Sequence, residues 1–167
     1  GLWRCRGSCQ WGPTGARWRQ LFLLRGPPVR WPPARAIALW RCLFGQEAKP
    51  KVALLSAVET VTLRMPSTLD AACLCKMAER GQITDALLDG PLAFDNAISK
   101  QAAADKGIVS EVAGDADIIV VPNIESGNAL AKQLTFLGHA DAAAIVLGAR
   151  VPIILTSRAD SVRTRLL

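Results

Sequence analysis

The chain lacks several residues and motifs on which common protein classes depend. Histidine occurs once, as His139, and a single histidine argues against both a zinc site and a Ser-His-Asp triad. We therefore expect no metal ion. No apolar run approaches the roughly 18 residues of a membrane-spanning helix, so no membrane partner is expected. Neither GxGxxG nor GxxxxGK[ST] occurs, and nothing recommends a dinucleotide or ATP as ligand.

Acidic residues are absent from the first 46 residues, which contain eight arginines. The rest of the chain has twelve Lys and Arg against fourteen Asp and Glu, although the net charge of the whole is +6. The protein is therefore a mildly acidic domain, residues 47–167, behind a basic segment, residues 1–46. We call this basic segment the leader.

The leader holds all five tryptophans and shows no apolar period of a strand or a helix. Arg with interleaved Trp is compatible with a nucleic-acid patch, and an Arg-rich, acid-poor leader resembles a targeting peptide. The proline pairs at 27–28 and 32–33 suit an amphipathic transit helix badly. Arg, Gly, Pro, Trp, Cys and Ala are also the residues that GC-rich codons yield in a wrong reading frame. We therefore expect a disordered segment, a gene-model artefact or unrelated fused sequence with no fold of its own, and no nucleic-acid partner.

From residue 47 onward, apolar runs alternate with helical patterns. Strands are predicted over 52–58, 83–88, 117–121, 143–147 and 151–155, with an edge-like segment over 108–112. Helices are predicted from a capping-box-like start at Ser67 to just before Gly81, over 99–106 and over 126–137. Cys73 and Cys75 lie in the first helix and are interpreted as reduced core thiols. This order predicts an α/β fold with a three-layer, mostly parallel sheet and helices on both faces.

Polar residues follow two of the predicted strands. Ser157 and Arg158 come after the strand 151–155, and Ser126, Gly127 and Asn128 open a helix after the strand 117–121. Ligands of parallel sheets sit at the carboxyl ends of strands, and a hydroxyl, a guanidinium and free helix N–H groups suit an anion. The alternative is that these residues cap helices, start turns or carry solvated surface charge.

Three loops occur in a fixed order: DGPLAFDNA at 89–97, VPNIESGN at 121–128 and LTSRADS at 155–161. With QLTFLGHADAAAIVLGARVPIIL between the last two, they resemble phosphate acetyltransferases and phosphate butyryltransferases. The resemblance covers residues 51–166. It is especially close to the bacterial proteins in which this domain is also found fused to an enoyl-CoA hydratase domain.

The resemblance implies a fold like that of the isocitrate and isopropylmalate dehydrogenases, with two α/β domains and the active site between them. Family members exchange acyl-CoA and phosphate for acyl phosphate and CoA. They need no cofactor, because CoA is a substrate or product, and they are usually homodimers. The resemblance also makes cytoplasm the expected location. Residues 47–167 are then a partial, truncated domain whose acyl group is acetyl or butyryl.

The resemblance also implies roles for individual residues. Ser157 would donate to the phosphate or the oxyanion, and Arg158 would neutralise phosphate charge, as the two catalytic residues. Substrate-binding roles fall on six residues: Pro91, Asp95, Asn96, Ser126, Gly127 and Asn128. The acetate-pathway enzymes place an acid where this chain has Thr164, so the general base is not assigned. The alternative function is a non-catalytic remnant that binds CoA or a partner subunit.

Overall fold

The computed structural model describes residues 21–23, 32–146, 150, 151, 153–155, 162 and 165. The described strands are β1 (Leu21–Leu23), β2 (Lys51–Leu55), β3 (Leu87–Leu92), β4 (Ile118–Val120), β5 (Ala144–Ile145) and β6 (Ile154–Leu155). The described helices are α1 (Pro32–Phe44), α2 (Pro66–Glu79), α3 (Phe94–Ile98), α4 (Lys100–Asp105) and α5 (Ile124–Phe136). No helix in this part of the chain is long and apolar enough to cross a bilayer.

Four of the strands form one parallel sheet in the order β1-β4-β2-β3. In the centre, Val52 of β2 lies opposite Ile118 of β4, and Leu54 lies opposite Val120. All four of these side chains are buried, as expected for central strands covered by helices on both faces. The predicted α/β fold with a parallel sheet is therefore confirmed.

Alternate residues of the central strands contribute to two separate cores. On one face, Ala53 and Ile119 pack with Ala97 of α3 and Ala103 of α4. This alternation follows from the two-residue period of a strand.

On the opposite face, Val52 and Ile118 pack with Trp40 of α1 and Ala71 of α2. Helices therefore cover both faces of the sheet, and the described chain has three layers.

Residues 32–44 belong to the leader, for which no fold of its own was expected, but they form the helix α1. Ala36, Ile37 and Trp40 are buried on the sheet, and Arg41 pairs with Asp85 at 3.0 Å. Prolines at 32 and 33 are compatible with this helix because the first helical turn tolerates proline. The leader also supplies β1 at the edge of the sheet. The domain boundary at residue 46 remains a prediction.

Four strand predictions were wrong in position or type. The strand predicted over 83–88 lies at Leu87–Leu92, so much of the predicted loop 89–96 is strand. No strand is assigned within 108–112, where every residue is described. The two C-terminal strands form a short antiparallel pair with exposed residues instead of joining the parallel sheet. Cys73 is also exposed, contrary to its prediction as a core thiol.

Candidate functional site

An open cleft of about 680 Å³ lies at the carboxyl ends of β2 and β4. Ser56 and Ala57 line it directly after β2, and Val121 and Pro122 line it directly after β4. Its other lining residues are Leu55, Pro66, Ser67, Asp70, Phe94, Asn123, Ser126, Leu130 and Gln133. This is the edge at which parallel α/β sheets bind ligands.

The start of α5 forms one wall of the cleft. The Asn123 side-chain oxygen Oδ1 accepts the Ser126 backbone N–H at 2.8 Å and the Ser126 hydroxyl at 2.7 Å. Asn123 is thus the helix N-cap, three residues before the predicted start of the helix. Its position after Pro122 and shortly before the acidic Glu125 is a sequence signal that could have found it.

Only one of the three predicted residues at this helix start is among the described lining residues of the cleft. Ser126 is exposed and lines it. Gly127 is buried, and its N–H donates to the Asn123 carbonyl at 3.2 Å. Asn128, the next residue of the helix, is exposed.

The start of α2 forms a second wall. The Ser56 and Ser67 hydroxyl oxygens lie 2.8 Å apart and share a hydrogen bond, and the Ser56 hydroxyl also donates to the Met65 sulfur at 3.3 Å. The helix begins at Pro66, and no side chain caps it. Ser67, which a capping-box-like pattern predicts as the start of this helix, therefore does not cap it, and its hydroxyl meets Ser56 directly after β2 instead. This pairing was not predicted, since the two serines are distant in sequence.

Both helices begin at the cleft and contribute to its electrostatic character. The unpaired N–H groups of a first helical turn carry partial positive charge. α2 and α5 contribute Pro66, Ser67 and Ser126 to the lining, all within their first turns. The cleft therefore combines serine hydroxyls, two helix N-termini, the carboxyl group of Asp70 and the apolar side chains of Leu55, Phe94 and Val121. This combination suits a ligand that is anionic at one end and apolar at the other.

Asp95 and Asn96 follow Phe94 of the cleft wall. Asp95 is exposed, and its carboxylate lies 3.1 Å from the Lys106 ammonium, whose hydrogen bond lowers the pKa of this carboxyl below its usual value. Asn96 is fully buried, and its amide nitrogen donates to the Glu59 carboxylate at 3.4 Å. Its side-chain oxygen is buried without a partner among the described residues.

Pro91 lies further back in β3. It is buried and follows a cis peptide bond at Gly90. The described lining of the cleft includes neither Pro91 nor Asp95 nor Asn96. The structure places Pro91 in β3 and Asp95 and Asn96 in α3 next to Phe94, whereas Ser126 belongs to α5.

The two predicted catalytic residues, Ser157 and Arg158, and Thr164 lie outside the described residues. Among the residues that are described, no group of three or more His, Cys, Asp and Glu side chains could hold a metal ion. Cys75 is close to β3, with its thiol donating to the Gly90 carbonyl at 3.4 Å. Burial raises the pKa of this thiol to about 12, so it is not a nucleophile near neutral pH.

A family model, phosphate acetyl/butaryl transferase, matches residues 36–166. The chain belongs to this family. A phosphate acetyltransferase of Rhizobium meliloti is 70% identical over 131 residues, which cover 78% of this chain and 41% of that protein. A phosphate butyryltransferase of Clostridium acetobutylicum is 52% identical over 117 residues, which cover 70% and 39%. The family resemblance predicted from the three loops is confirmed, whereas the relation to an enoyl-CoA hydratase fusion remains a prediction.

Solved structures are similar as well. A branched-chain phosphotransacylase from Enterococcus faecalis V583 matches with a TM-score of 0.63 and 40% identity, over 77% of this chain and 44% of that one. EutD phosphotransacetylase from Staphylococcus aureus matches with a TM-score of 0.60 and 29% identity, over 78% and 39%. The chain thus spans about two fifths of the length of the curated relatives it matches.

Proposed function

We propose that this chain carries part of a phosphate acyltransferase, which exchanges acyl-CoA and inorganic phosphate for acyl phosphate and free CoA. The observation that carries the proposal is the family match over residues 36–166, which includes all three of the predicted loops. The position of the cleft supports it, because the loop 121–128 supplies lining residues at the carboxyl edge of the sheet.

The reaction sets three requirements. Phosphate attacks the thioester carbonyl, so the site must hold a dianion, stabilise an oxyanion and protonate a leaving thiolate. We assign the first two to Ser157 and Arg158, since a hydroxyl can donate to an oxyanion and a guanidinium can bond two phosphate oxygens. The general base that deprotonates CoA in the reverse direction is left unassigned, because Thr164 cannot take that part.

Substrate binding is assigned to the cleft and its surroundings. Ser126 and the start of α5, with Gly127 and Asn128, are proposed to bind an anionic group of the substrate, helped by the helix N-terminus. Asp95 and Asn96 are proposed to shape the pocket for the acyl or phosphate group. Pro91, buried in β3, is proposed to fix the position of the segment that carries them.

The wider properties of the family extend the proposal. We infer a fold like that of the isocitrate and isopropylmalate dehydrogenases, a homodimer, and a cytoplasmic enzyme that transfers acetyl or butyryl groups without a cofactor. Acyl-CoA and phosphate would be its ligands, and neither nucleic acid nor a membrane would be a partner.

The alternative is a non-catalytic remnant that binds CoA or a partner subunit. The 167 residues span about two fifths of the length of these relatives. Holding two reactants in place is worth roughly 7–11 kcal/mol of a reaction barrier. A cleft that lacks part of its surroundings loses some of that positioning. We therefore expect little or no turnover by these 167 residues alone.

The test measures thiol release from acetyl-CoA and butyryl-CoA with phosphate, together with calorimetric binding of CoA. Binding of CoA without turnover would favour the remnant. Turnover that Ser157→Ala and Arg158→Lys reduce by roughly 100-fold or more, while the neighbouring Ser161→Ala does not, would support the transferase. Failure of both binding and turnover would refute the proposal for this chain.

A further inference from the structure

The connection from β2 to α2, residues 56–65, is a loop whose ends both belong to the cleft. Ser56 and Ala57 line the cleft at one end, and Pro66 and Ser67 line it directly after the other. The position of this connection, which we call the cleft loop, therefore sets the position of one cleft wall.

Hydrogen bonds tie the second half of the cleft loop to α2. The Thr68 hydroxyl donates to the Met65 carbonyl at 2.8 Å and accepts the Thr62 N–H at 3.0 Å. These contacts fold the loop onto its own helix. They do not fix its distance from the wall that contains Phe94.

The first half of the cleft loop contacts that other wall through Glu59. The Glu59 carboxylate lies 3.3 Å from the Lys106 ammonium and accepts a hydrogen bond from the Asn96 amide at 3.4 Å. The same ammonium lies 3.1 Å from the carboxylate of Asp95, the residue that follows Phe94. Lys106, just after α4, thus bridges two carboxylates that belong to different walls.

We propose that Lys106 is a positioning residue that holds the cleft loop against α3 and so fixes the separation between the wall at the start of α2 and the wall that contains Phe94. The proposal rests on the proposed function only because it takes the cleft to be the substrate site. The contacts of Lys106 do not depend on that assignment. The bridge differs from an ordinary surface ion pair because two like charges meet at one cation. Without the ammonium, Glu59 and Asp95 would repel each other across the cleft walls.

Electrostatics around the bridge agree with this geometry. The hydrogen bond between the Lys106 ammonium and Asp95 raises the pKa of the lysine and lowers that of the carboxyl. All three side chains keep contact with solvent, since 33% of Lys106, 35% of Glu59 and 56% of Asp95 are exposed. Salt should therefore weaken the bridge.

The experiment is limited proteolysis with trypsin, because Arg64 is exposed in the cleft loop. We expect Lys106→Met to accelerate cleavage after Arg64 about fivefold, the range of a lost surface bridge. Lys106→Arg should restore protection, since a guanidinium can bond two carboxylates. Cleavage after the exposed Arg80, at the end of α2, is the internal reference for general unfolding. Lys76→Met is the matched control, because it removes the exposed pair with Glu79 on α2.

A double variant separates positioning from mere stabilisation. Adding Asp95→Asn to Lys106→Met removes one of the two repelling carboxylates, so cleavage after Arg64 should slow again relative to the single variant. Glu59→Gln alone should accelerate that cleavage, because Lys106 then holds only Asp95. In wild type, roughly 1 M salt should accelerate it as well.

The proposal is overturned if Lys106→Met leaves the Arg64 rate unchanged, or if it accelerates cleavage after Arg64 and Arg80 equally. It is likewise overturned if the double variant is cleaved faster than Lys106→Met. Calorimetric titration of CoA into wild type and Lys106→Met is run in parallel. If wild type binds no CoA, the proposed function fails, while the Arg64 result still decides the role of Lys106.

Discussion

The side-chain oxygen Oδ1 of Asn123 lies 2.8 Å from the backbone nitrogen and 2.7 Å from the hydroxyl oxygen of Ser126. One side chain thus caps α5 and orients a hydroxyl that lines the cleft. Because the Ser126 hydroxyl donates to Asn123, its oxygen is left to accept a hydrogen bond from a ligand. The Ser126 and Gly127 N–H groups are already bonded to Asn123, so what favours an anion beside this hydroxyl is the positive end of the helix dipole.

Asn123→Ala should lower the free energy of unfolding by about 1 kcal/mol, the usual cost of losing an N-cap. Urea unfolding followed by circular dichroism measures it. Asn128→Ala is the matched control on the same helix, where an exposed substitution should cost under about 0.5 kcal/mol. Equal losses for the two variants would show that the Asn123 bonds to Ser126 do not stabilise the start of the helix.

Trp40→Ala should cost about 3 kcal/mol or more, since it empties a large site in the core beneath α1. Trp40 is 8% exposed and packs in the same core as Val52 and Ile118. Trp40→Phe should cost much less, because the indole N–H is buried without a partner among the described residues, and losing it removes an unpaired donor. Thermal and urea unfolding of both variants provide the comparison.

Leu43→Ala on the same helix is the control, because its side chain is 59% exposed and should contribute under about 0.5 kcal/mol. If Trp40→Ala is as mild as Leu43→Ala, then α1 does not pack on the sheet. That outcome would support the expectation that the leader has no fold of its own.

The prediction for the leader rests on composition, which averages over a segment that contains the helix α1. Ala36, Ile37 and Trp40 recur at helical spacing and form the buried face of α1, while the neighbouring prolines and arginines dominated the count. Prolines at the first turn of a helix are tolerated. Local periodicity at 36–40 was therefore a better guide than the composition of residues 1–46.

The central strands were predictable because their apolar runs are buried on both faces. β3 was not, since Asp89, Gly90 and Pro91 are typical turn residues. This strand needs a glycine at position 90, because a Cβ atom there would lie 2.6 Å from the Leu54 Cβ. The Asp89 carboxylate accepts the Gly90 N–H at 2.8 Å. Close packing against β2, which is distant in sequence, thus requires glycine at position 90, and no local sequence pattern indicates this.

The candidate site was predictable in outline only. Placing a ligand at the carboxyl edge of the sheet follows from the α/β pattern, and Ser126 does line the cleft. The pairing of Ser56 with Ser67 and of Glu59 with Lys106 joins loops that are 11 and 47 residues apart. Such contacts depend on the tertiary fold, so the sequence alone does not reveal them.

Stability should depend on pH through Asp115. The hydrogen bond from the Lys51 ammonium, at 2.7 Å, lowers the pKa of Asp115 below its ordinary value of 3.8. The stabilisation is therefore present above that unfolded value and is lost as pH falls through the lower folded pKa. Because the Asp115 side chain is 50% exposed, we expect only about 0.5 kcal/mol after solvent screening.

Asp115→Asn should thus be less stable than wild type at pH 6, and the difference should shrink towards about pH 3. Urea unfolding at both pH values measures it. Asp105→Asn is the control, because its carboxylate accepts a hydrogen bond from the neutral Gln101 amide at 2.7 Å. A difference for Asp115→Asn that stays constant or grows at low pH would contradict the assignment to the Lys51 pair.

Gly114→Ala should be far more costly than Gly107→Ala, although both glycines have a positive φ, +78° and +66°. At Gly107 nothing lies within 4 Å of an added Cβ atom, so the cost is the left-handed backbone alone, about 1 kcal/mol. At Gly114 the Cβ would lie 2.5 Å from the Lys100 backbone, which adds roughly 1–3 kcal/mol of overpacking.

The Gly114 N–H also donates to the Asn96 carbonyl at 2.8 Å, so movement away from Lys100 would disturb α3 beside the cleft. Urea unfolding of both variants tests the difference in free energy. Equal costs would mean that the start of α4 yields to the new methyl group. In that case the segment that carries Lys106 is too compliant to hold the cleft loop at a fixed distance from Phe94.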